Sequence, residues 1–208
     1  GIMSHLACAD TPEHPLNLIQ ANAFYELHQK IASHLPASLL NSAGLIALPQ
    51  HKHDMIRPGI ALYGAEPIPY EPMGLKPVMQ LSGQVMQIRE VEQGSTLSYG
   101  ASYTADKDMT IALICVGYGD GLPRALSNQG YAEFHGQHLP IVGRICMDYC
   151  LLDMTSSDIN IDDTVTFWGE SLSPNAVADL IDTIPYTLMT GINQRVHRIP
   201  INPKGVSG

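Results

Sequence analysis

Tyr99, in the stretch "TLSYGASYTA" (residues 96–105), is a side chain whose setting raises a question of chemistry. The run reads as a strand, with Tyr103 four residues on and on the same face. A tyrosine that packs and hydrogen-bonds is the ordinary case, and a tyrosine acid or base the rarer one. In "LLNSAGLIALP", Asn41 and Ser42 stand where a strand hands over to a helix. Ser42 is placed to cap that helix, and its hydroxyl with the adjacent amides is equally suited to a phosphate. In "IRPGIALYG", Arg57 precedes a Pro-Gly turn, after which Gly59 and Ile60 could offer backbone amides to an anion. "VGRICMDYC" sets Arg144 and Asp148 inside a run apolar enough to be interior, so an internal ion pair or a carboxylate site is expected.

Other stretches carry less. "VGYGDGLPR" lacks the spacing and the Lys-Ser/Thr ending of a phosphate loop, and its Asp120-Gly121 reads as a turn after a strand. His51 and His53 in "QHKHD" have polar flanks and no third ligand at a recognisable spacing, so they read as a solvated loop and no metal is expected.

The elements that must position these residues follow two grammars. Up to Gly64, "IMSHLACA" reads as a buried strand ending near His5. "PLNLIQANAFYELHQKIASHL" places Leu16, Ile19, Ala23, Leu27 and Ile31 at helical spacing. "ASLLNSAGLIAL" turns from strand into short helix, and "MIRPGIALYG" is a strand broken by Pro-Gly. Strand, helix, strand implies a parallel α/β sheet whose sites lie at the strand ends. Residues 65–77, "AEPIPYEPMGLKP", read as a linker. From 78 to 208, "VMQLSGQVMQIREV", "TIALICVGYG", "YAEFHG", "LPIVGRICMDYCLLDM" and "DTVTFWG" are β-rich runs between turns. One late helix follows, with Ser173 as its cap and Pro174 at its first position. This half implies an antiparallel β domain.

With 208 residues, 45% of them hydrophobic, the chain can bury a core as one large domain or two small ones. A net charge of -9 with only 11 Lys plus Arg argues against binding nucleic acid, which needs a basic face. Cys8, Cys115, Cys146 and Cys150 form no C-x-x-C pair and sit in apolar runs as small hydrophobes, which suits a reducing, cytoplasmic setting. No apolar run reaches the length of a membrane span. An apolar, strand-like run begins straight after Gly1, and this reads as the middle of something longer.

Taken in order, "MSHLACAD", "NSAGL", "IRPGIALYG", "LSYGASY", "VGYGDGLPR", "GRICMDYCLLDMT", "DTVTFWG" and "YTLMTGINQRV" resemble the second half of alanine racemases over nearly the whole chain. That resemblance implies an α/β plus β fold: the C-terminal portion of a (β/α)8 barrel in residues 1–64, then a mainly antiparallel β domain. It also implies pyridoxal 5'-phosphate as cofactor, alanine as substrate, D-alanine for peptidoglycan precursors as product, and a cytoplasmic homodimer with shared active sites.

By the same resemblance, Arg57 matches the arginine on the cofactor's pyridine nitrogen. A guanidinium does not give up its proton, so the ring stays unprotonated and is a weaker electron sink. His5 matches the histidine linking that arginine to the catalytic tyrosine. Ser42, with Asn41 beside it, and the amides of Gly59 and Ile60 match the phosphate site. Tyr99 matches the catalytic tyrosine, which serves one enantiomer of alanine and reaches into the partner subunit's barrel. Since a phenol is ordinarily a poor base at neutral pH, a neighbouring His and Arg must favour the phenolate. Met147 matches a backbone contact to the substrate carboxylate, and Tyr118, Arg124, Arg144 and Asp148 match the substrate entrance.

Two departures stand out. The family's cofactor lysine lies in a "KANAYGHG"-like segment, and none of Lys30, Lys52, Lys76, Lys107 or Lys204 has that context. Gln194 stands where many members place a tyrosine on the cofactor phosphate. The isolated chain is therefore expected to be inactive, and the alternative is a non-catalytic dimerisation or binding remnant. A barrel-type decarboxylase shares the architecture, but its glycine-rich phosphate segment and late cysteine motif are not apparent. An open half-barrel exposes strand edges and apolar faces, so association is expected.

Overall fold

A computed structural model describes residues 1–201; the residues beyond, including Lys204 and the end of the expected 78–208 domain, lie outside the described residues. The chain divides into two units, Gly1–Met79 with Ser173–Asn175, and Gln80–Leu172 with the residues from Ala176 onward.

The first unit is built on a three-stranded parallel sheet, β1 (Ile2–Met3), β2 (Ala37–Asn41) and β3 (Met55–Arg57), in that spatial order. Parallel neighbours need a crossover, and helix α1 (Leu16–Ile31) supplies the one between β1 and β2. The run expected as a long buried strand forms only β1. Met3 is exposed, while Leu6 and Ala9 beyond it are buried outside any strand.

The helix forms where its periodicity predicts, yet the expected apolar face is the wrong one. Ile19 and Ile31 are each 61% exposed and Leu27 is 48% exposed, whereas Asn17, Ala21, Phe24 and His28 face inward. Two of those inner residues are polar and make hydrogen bonds, although Asn17 Oδ1 is buried with no partner among the described residues. The Asn17 amide donates to the carbonyls of Cys8 and Thr11, both at 3.0 Å, and the His28 ring bonds the Leu35 carbonyl at 2.9 Å. The hydrogen bonds they do make offset much of the cost of burying these groups, so polarity did not mark the solvent side.

Helix α2 (Ser42–Ala47) follows β2 without a break. The residues after β3 make one tight helical turn, Ile60–Tyr63, closed by Gly64 at φ 75°. Any Cβ at Gly64 would lie 1.8 Å from the Lys76 carbonyl oxygen. Within residues 65–77, Ala65 and Ile68 are buried, and the Glu66 carboxylate accepts from the amides of Met73 and Leu75 at 3.0 and 2.9 Å. Ser173 caps the late helix α3 (Pro174–Asp179) as expected, its hydroxyl accepting from the Asn175 amide at 3.2 Å.

The second unit carries β4 (Leu81–Val91), β5 (Thr96–Leu97), β6 (Tyr103–Thr104), β7 (Met109–Ile114), β8 (Tyr131–Phe134), β9 (Gln137–Pro140), β10 (Cys150–Asp153) and β11 (Thr164–Trp168). Six of them form an antiparallel sheet in the order β10-β7-β4-β11-β8-β9, and β5 pairs with β6 in a separate ladder. The long β4 gives its first half to β11 and its second to β7. Trp168, Phe167, Val85, Ile114 and Leu152 are almost wholly buried and anchor the core.

Two expected strands are interrupted. "TLSYGASYTA" is a hairpin with a helical turn at Tyr99–Ala101, so Tyr99 and Tyr103 share no strand face. "LPIVGRICMDYCLLDM" is strand only at its ends, and residues 141–149 form a loop joined by an isolated bridge between Ile141 and Leu152. Cys115, just beyond β7, is exposed, against the expectation of a packed thiol, while Cys8 is half-buried and Cys146 and Cys150 are buried. No helix among the described residues is long and apolar enough to cross a membrane.

Candidate active site

In the first unit, the ends of the three parallel strands bring His5, Asn41, Ser42 and Arg57 together. Asn41 and Arg57 are register partners across β2 and β3, which fixes their proximity through the sheet itself. Arg57 uses both terminal nitrogens. Nη1 donates to Ser38 Oγ at 2.6 Å, and Nη2 donates to the Ser4 carbonyl at 2.6 Å, the Leu39 carbonyl at 3.3 Å and His5 Nδ1 at 3.1 Å. Its Nε–H has no acceptor among the described residues, which leaves one donor over from a guanidinium that is otherwise pinned.

That arrangement sets the state of His5. A guanidinium can only donate, so His5 Nδ1 must present its lone pair and the ring proton belongs on Nε2. The Asn41 amide nitrogen 3.2 Å from Nε2 is also a donor, and Asn41 Oδ1 is already committed to the Gly44 amide at 2.8 Å. With Arg57 on Nδ1, the Nε2–H faces a second donor and has no acceptor among the described residues.

Asn41, and not Ser42, is the N-cap of α2, which corrects the capping role expected for the serine. Ser42 is buried, and its hydroxyl instead accepts from the amides of Gly59 at 2.8 Å and Ala61 at 3.3 Å, on either side of the buried Ile60. A hydroxyl and amides gathered at a loop suit a phosphate, and a Cβ at Gly59 would meet nothing within 4 Å, so there is room for one. The Gly59 and Ala61 amides are spent on Ser42 Oγ, so the Arg57 Nε–H and the Ser42 hydroxyl hydrogen are the donors left over for the two polar ends of pyridoxal phosphate.

The His51–His53 segment is not simply solvated. His53 lies edge-on to Phe24 at 5.0 Å between ring centroids, its buried Nε2 has no hydrogen-bond partner, and burial followed by repulsion from His28 lowers its pKa. Among the described residues no group of three or more His, Cys, Asp or Glu could hold a metal ion.

In the second unit, Tyr99, Tyr118, Arg124, Arg144, Met147 and Asp148 line one cavity of about 420 Å³, with Ile145, Cys146 and Tyr149 completing the wall. Four of these are the expected substrate-entrance set, Met147 is the expected carboxylate contact, and the sixth is the tyrosine. Tyr99 is 67% exposed on its turn. The expectation that Arg144 and Asp148 are buried fails: both are exposed, because the loop lifts them out of the apolar run. Nor do they pair with each other. Asp148 bonds Arg195 at 2.9 Å, and among the described residues Arg124 and Arg144 make no ion pair.

Arg195 was not singled out by the sequence. Its Nε donates to Asp120 Oδ1 at 2.8 Å, its Nη1 meets Asp148 and its Nη2 donates to the Met147 carbonyl at 3.2 Å. Asp120, read as a plain turn residue, also accepts from the Gly117 amide at 2.9 Å. The amides of Tyr118 and Gly119 bond the carbonyls of Cys146 and Met147 at 2.9 and 2.8 Å. Three distant segments are thereby tied under Met147 and Asp148, and only the charge pattern of "GYGD" and "QRV" hinted at it. Gln194, next to Arg195, is exposed and does not line this cavity. Tyr149 was also missed. The Cys146 thiol beside it, burial and repulsion from Tyr99 raise its pKa, so it stays protonated next to Tyr99.

Residues 1–67 match the alanine racemase N-terminal domain and residues 78–200 the alanine racemase C-terminal domain. The alanine racemase of Vesicomyosocius okutanii is 38% identical over 94% of this chain and 55% of its own length. The catabolic alanine racemase of Mesorhizobium japonicum is 40% identical over 95% and 52%. Among solved structures, the alanine racemase of Bartonella henselae with covalently bound pyridoxal phosphate is 36% identical, with a TM-score of 0.90 over 96% of this chain and 56% of that one. This chain spans about half the length of the curated relatives it matches.

Proposed function

The chain belongs to the alanine racemase family, and from that premise we propose that it supplies the cofactor cradle and one proton-transfer face of a pyridoxal-phosphate-dependent alanine racemase. The observation that carries this reading is Arg57, held by four acceptors with its Nε–H left to donate, together with the Ser42 hydroxyl that gathers the Gly59 and Ala61 amides. When bound, pyridoxal phosphate withdraws electrons from the substrate's α-carbon and makes its hydrogen acidic.

Each residue's part follows from its own chemistry. Arg57 donates to the ring nitrogen and keeps a proton off it, which limits electron withdrawal and disfavours side reactions. Ser42 would hold the phosphate with the amides of Gly59 and Ile60, the Gly59 amide turning from Ser42 Oγ to a phosphate oxygen, and Asn41 fixes α2 behind it. His5 offers its Nε2–H to the phenol oxygen of Tyr99 of the partner subunit, favouring the phenolate that takes the α-proton of one enantiomer. Met147 orients the substrate carboxylate through its backbone, and Tyr118, Arg124, Arg144 and Asp148 form the entrance, with the two unpaired arginines attracting the carboxylate.

We place the barrel portion at residues 1–64, the connection at 65–77 and the β domain from 78. The active unit is a cytoplasmic homodimer that supplies D-alanine for cell-wall precursors. The cofactor lysine comes from the portion of the family's barrel that this chain does not span. The reading is tested in the full-length protein with the cofactor bound. Tyr99→Phe should abolish solvent-deuterium exchange at the α-carbon from one alanine enantiomer and preserve it from the other. Full exchange from both would end the role given to Tyr99.

A further inference from the structure

Tyr99 sits on a turn that its own backbone does not favour. Ser98 has φ 62° and ψ 177°, Gly100 has φ 71° and Ala101 has φ 46°, so three of four consecutive residues have positive φ and two of them carry a Cβ. An exposed three-residue turn in this state would drift without external support.

The support comes from residue 144. Ser98 Oγ donates to the Arg144 carbonyl at 2.7 Å, and the Arg144 amide donates to Ser102 Oγ at 3.1 Å. The two serines that bracket Tyr99 therefore clasp both polar ends of one residue on the opposite loop. That loop is itself fixed: the Ile145 amide donates to Ser127 Oγ at 3.0 Å, and Asn128 donates to the Ser102 carbonyl at 3.1 Å while accepting from Gly143. The clasp is close enough that a Cβ at Gly143 would lie 2.5 Å from Ser98 Cβ. On its outer side the Arg144 guanidinium lies against Gly100, Nη1 being 3.0 Å from where a Cβ would stand.

We propose that Ser98 and Ser102 are positioning residues, a two-point clasp on Arg144 that sets the Tyr99 phenol in register with the Arg144 guanidinium on the wall of their shared cavity. The proposal rests on the reading of Tyr99 as the base for one enantiomer. It concerns how that base is aimed, so it can fail while the reading stands. A purely structural pair of serines would support both faces of the reaction equally. A clasp specific to Tyr99 supports only one.

The test uses the full-length protein with cofactor bound, carrying Ser98→Ala, Ser102→Ala, Ser102→Thr or Tyr99→Phe, with α-proton exchange in deuterium oxide measured separately from L- and D-alanine. Ser98→Ala and Ser102→Ala should each slow, by about tenfold, exchange from the enantiomer that Tyr99→Phe silences, which is about 1.4 kcal/mol. The other enantiomer should stay within about twofold, and Ser102→Thr, which keeps the hydroxyl, should restore the rate. If Ser98→Ala does not fold, the Ser102 pair alone decides. Equal slowing from both enantiomers, or no slowing, overturns the clasp while leaving the assignment of Tyr99 in place. A Tyr99→Phe protein that exchanges both enantiomers normally overturns both.

Discussion

Replacing Arg57 by lysine keeps a positive charge but removes the fork, and the structure says what that removes. Two short contacts of 2.6 Å, to Ser38 Oγ and to the Ser4 carbonyl, leave from different nitrogens of the guanidinium. An ammonium has three hydrogens around a single nitrogen, so it cannot reach both acceptors and still offer the donor that Nε provides. Hydrogen bonds to charged groups contribute roughly 1.5–3 kcal/mol each. Ser4 and His5 are exposed, so water replaces part of what is lost on that side. We therefore expect folding stability to fall by about 1–2 kcal/mol and, separately, cofactor dissociation to strengthen by a similar free energy, a rise in Kd of about 5- to 30-fold. The first is read by urea unfolding and the second by titrating pyridoxal phosphate into full-length apoprotein and following its absorbance. A stability loss with unchanged Kd would show that Arg57 is only a clamp across three strands, and the reasoning about its spare donor would be refuted.

The remaining predictions concern stability and reactivity. The Ser171 hydroxyl at 2.6 Å, with the Gly136 amide, holds the Glu133 carboxyl below its usual range. A depressed carboxyl stabilises the fold above its unfolded pKa and loses that contribution as pH falls through the folded value. Glu133→Gln should thus cost about 1–2 kcal/mol at neutral pH. Its stability should approach that of wild type below pH ~4, as thermal melts across pH would show. Gly64→Ala must accommodate both φ 75° and the Lys76 carbonyl at 1.8 Å, and should lose about 2–4 kcal/mol by chemical denaturation, where a loss under ~0.5 would contradict the geometry. Burial pushes the Cys150 thiol strongly up, and Cys146 is buried as well, so a thiol reagent should label exposed Cys115 first and reach those two only on unfolding. Early labelling of Cys150, seen by mass spectrometry, would contradict the packing around it.

The sequence revealed the second unit's strands well, because runs such as "TIALIC" and "DTVTFW" combine β-branched residues with clear turns at their ends. It also placed β2, α2 and β3 and therefore Asn41, Ser42 and Arg57. It misjudged α1, where the hydrogen-bonded polar residues Asn17 and His28 face inward and the aliphatic stripe of Ile19, Leu27 and Ile31 faces out. Positive φ at Ser98 and Ala101 leaves no trace in residue type, so the Tyr99 turn looked like strand. Arg144 and Asp148 looked interior because their neighbours are apolar, but loop geometry, not composition, decides which way a charged side chain leaves the chain. The Arg195 contacts with Asp120, Asp148 and Met147 join residues up to 75 positions apart, a separation that local pattern does not encode.

The most direct test of the central claim is to mix this chain, with pyridoxal phosphate present, with the complementary N-terminal portion of the full-length protein that bears the cofactor lysine, and to follow conversion of L-alanine to D-alanine. Each portion alone should be inert and the mixture should racemise alanine. A mixture that associates and binds cofactor yet leaves alanine unchanged, or racemisation by this chain alone, would contradict the account.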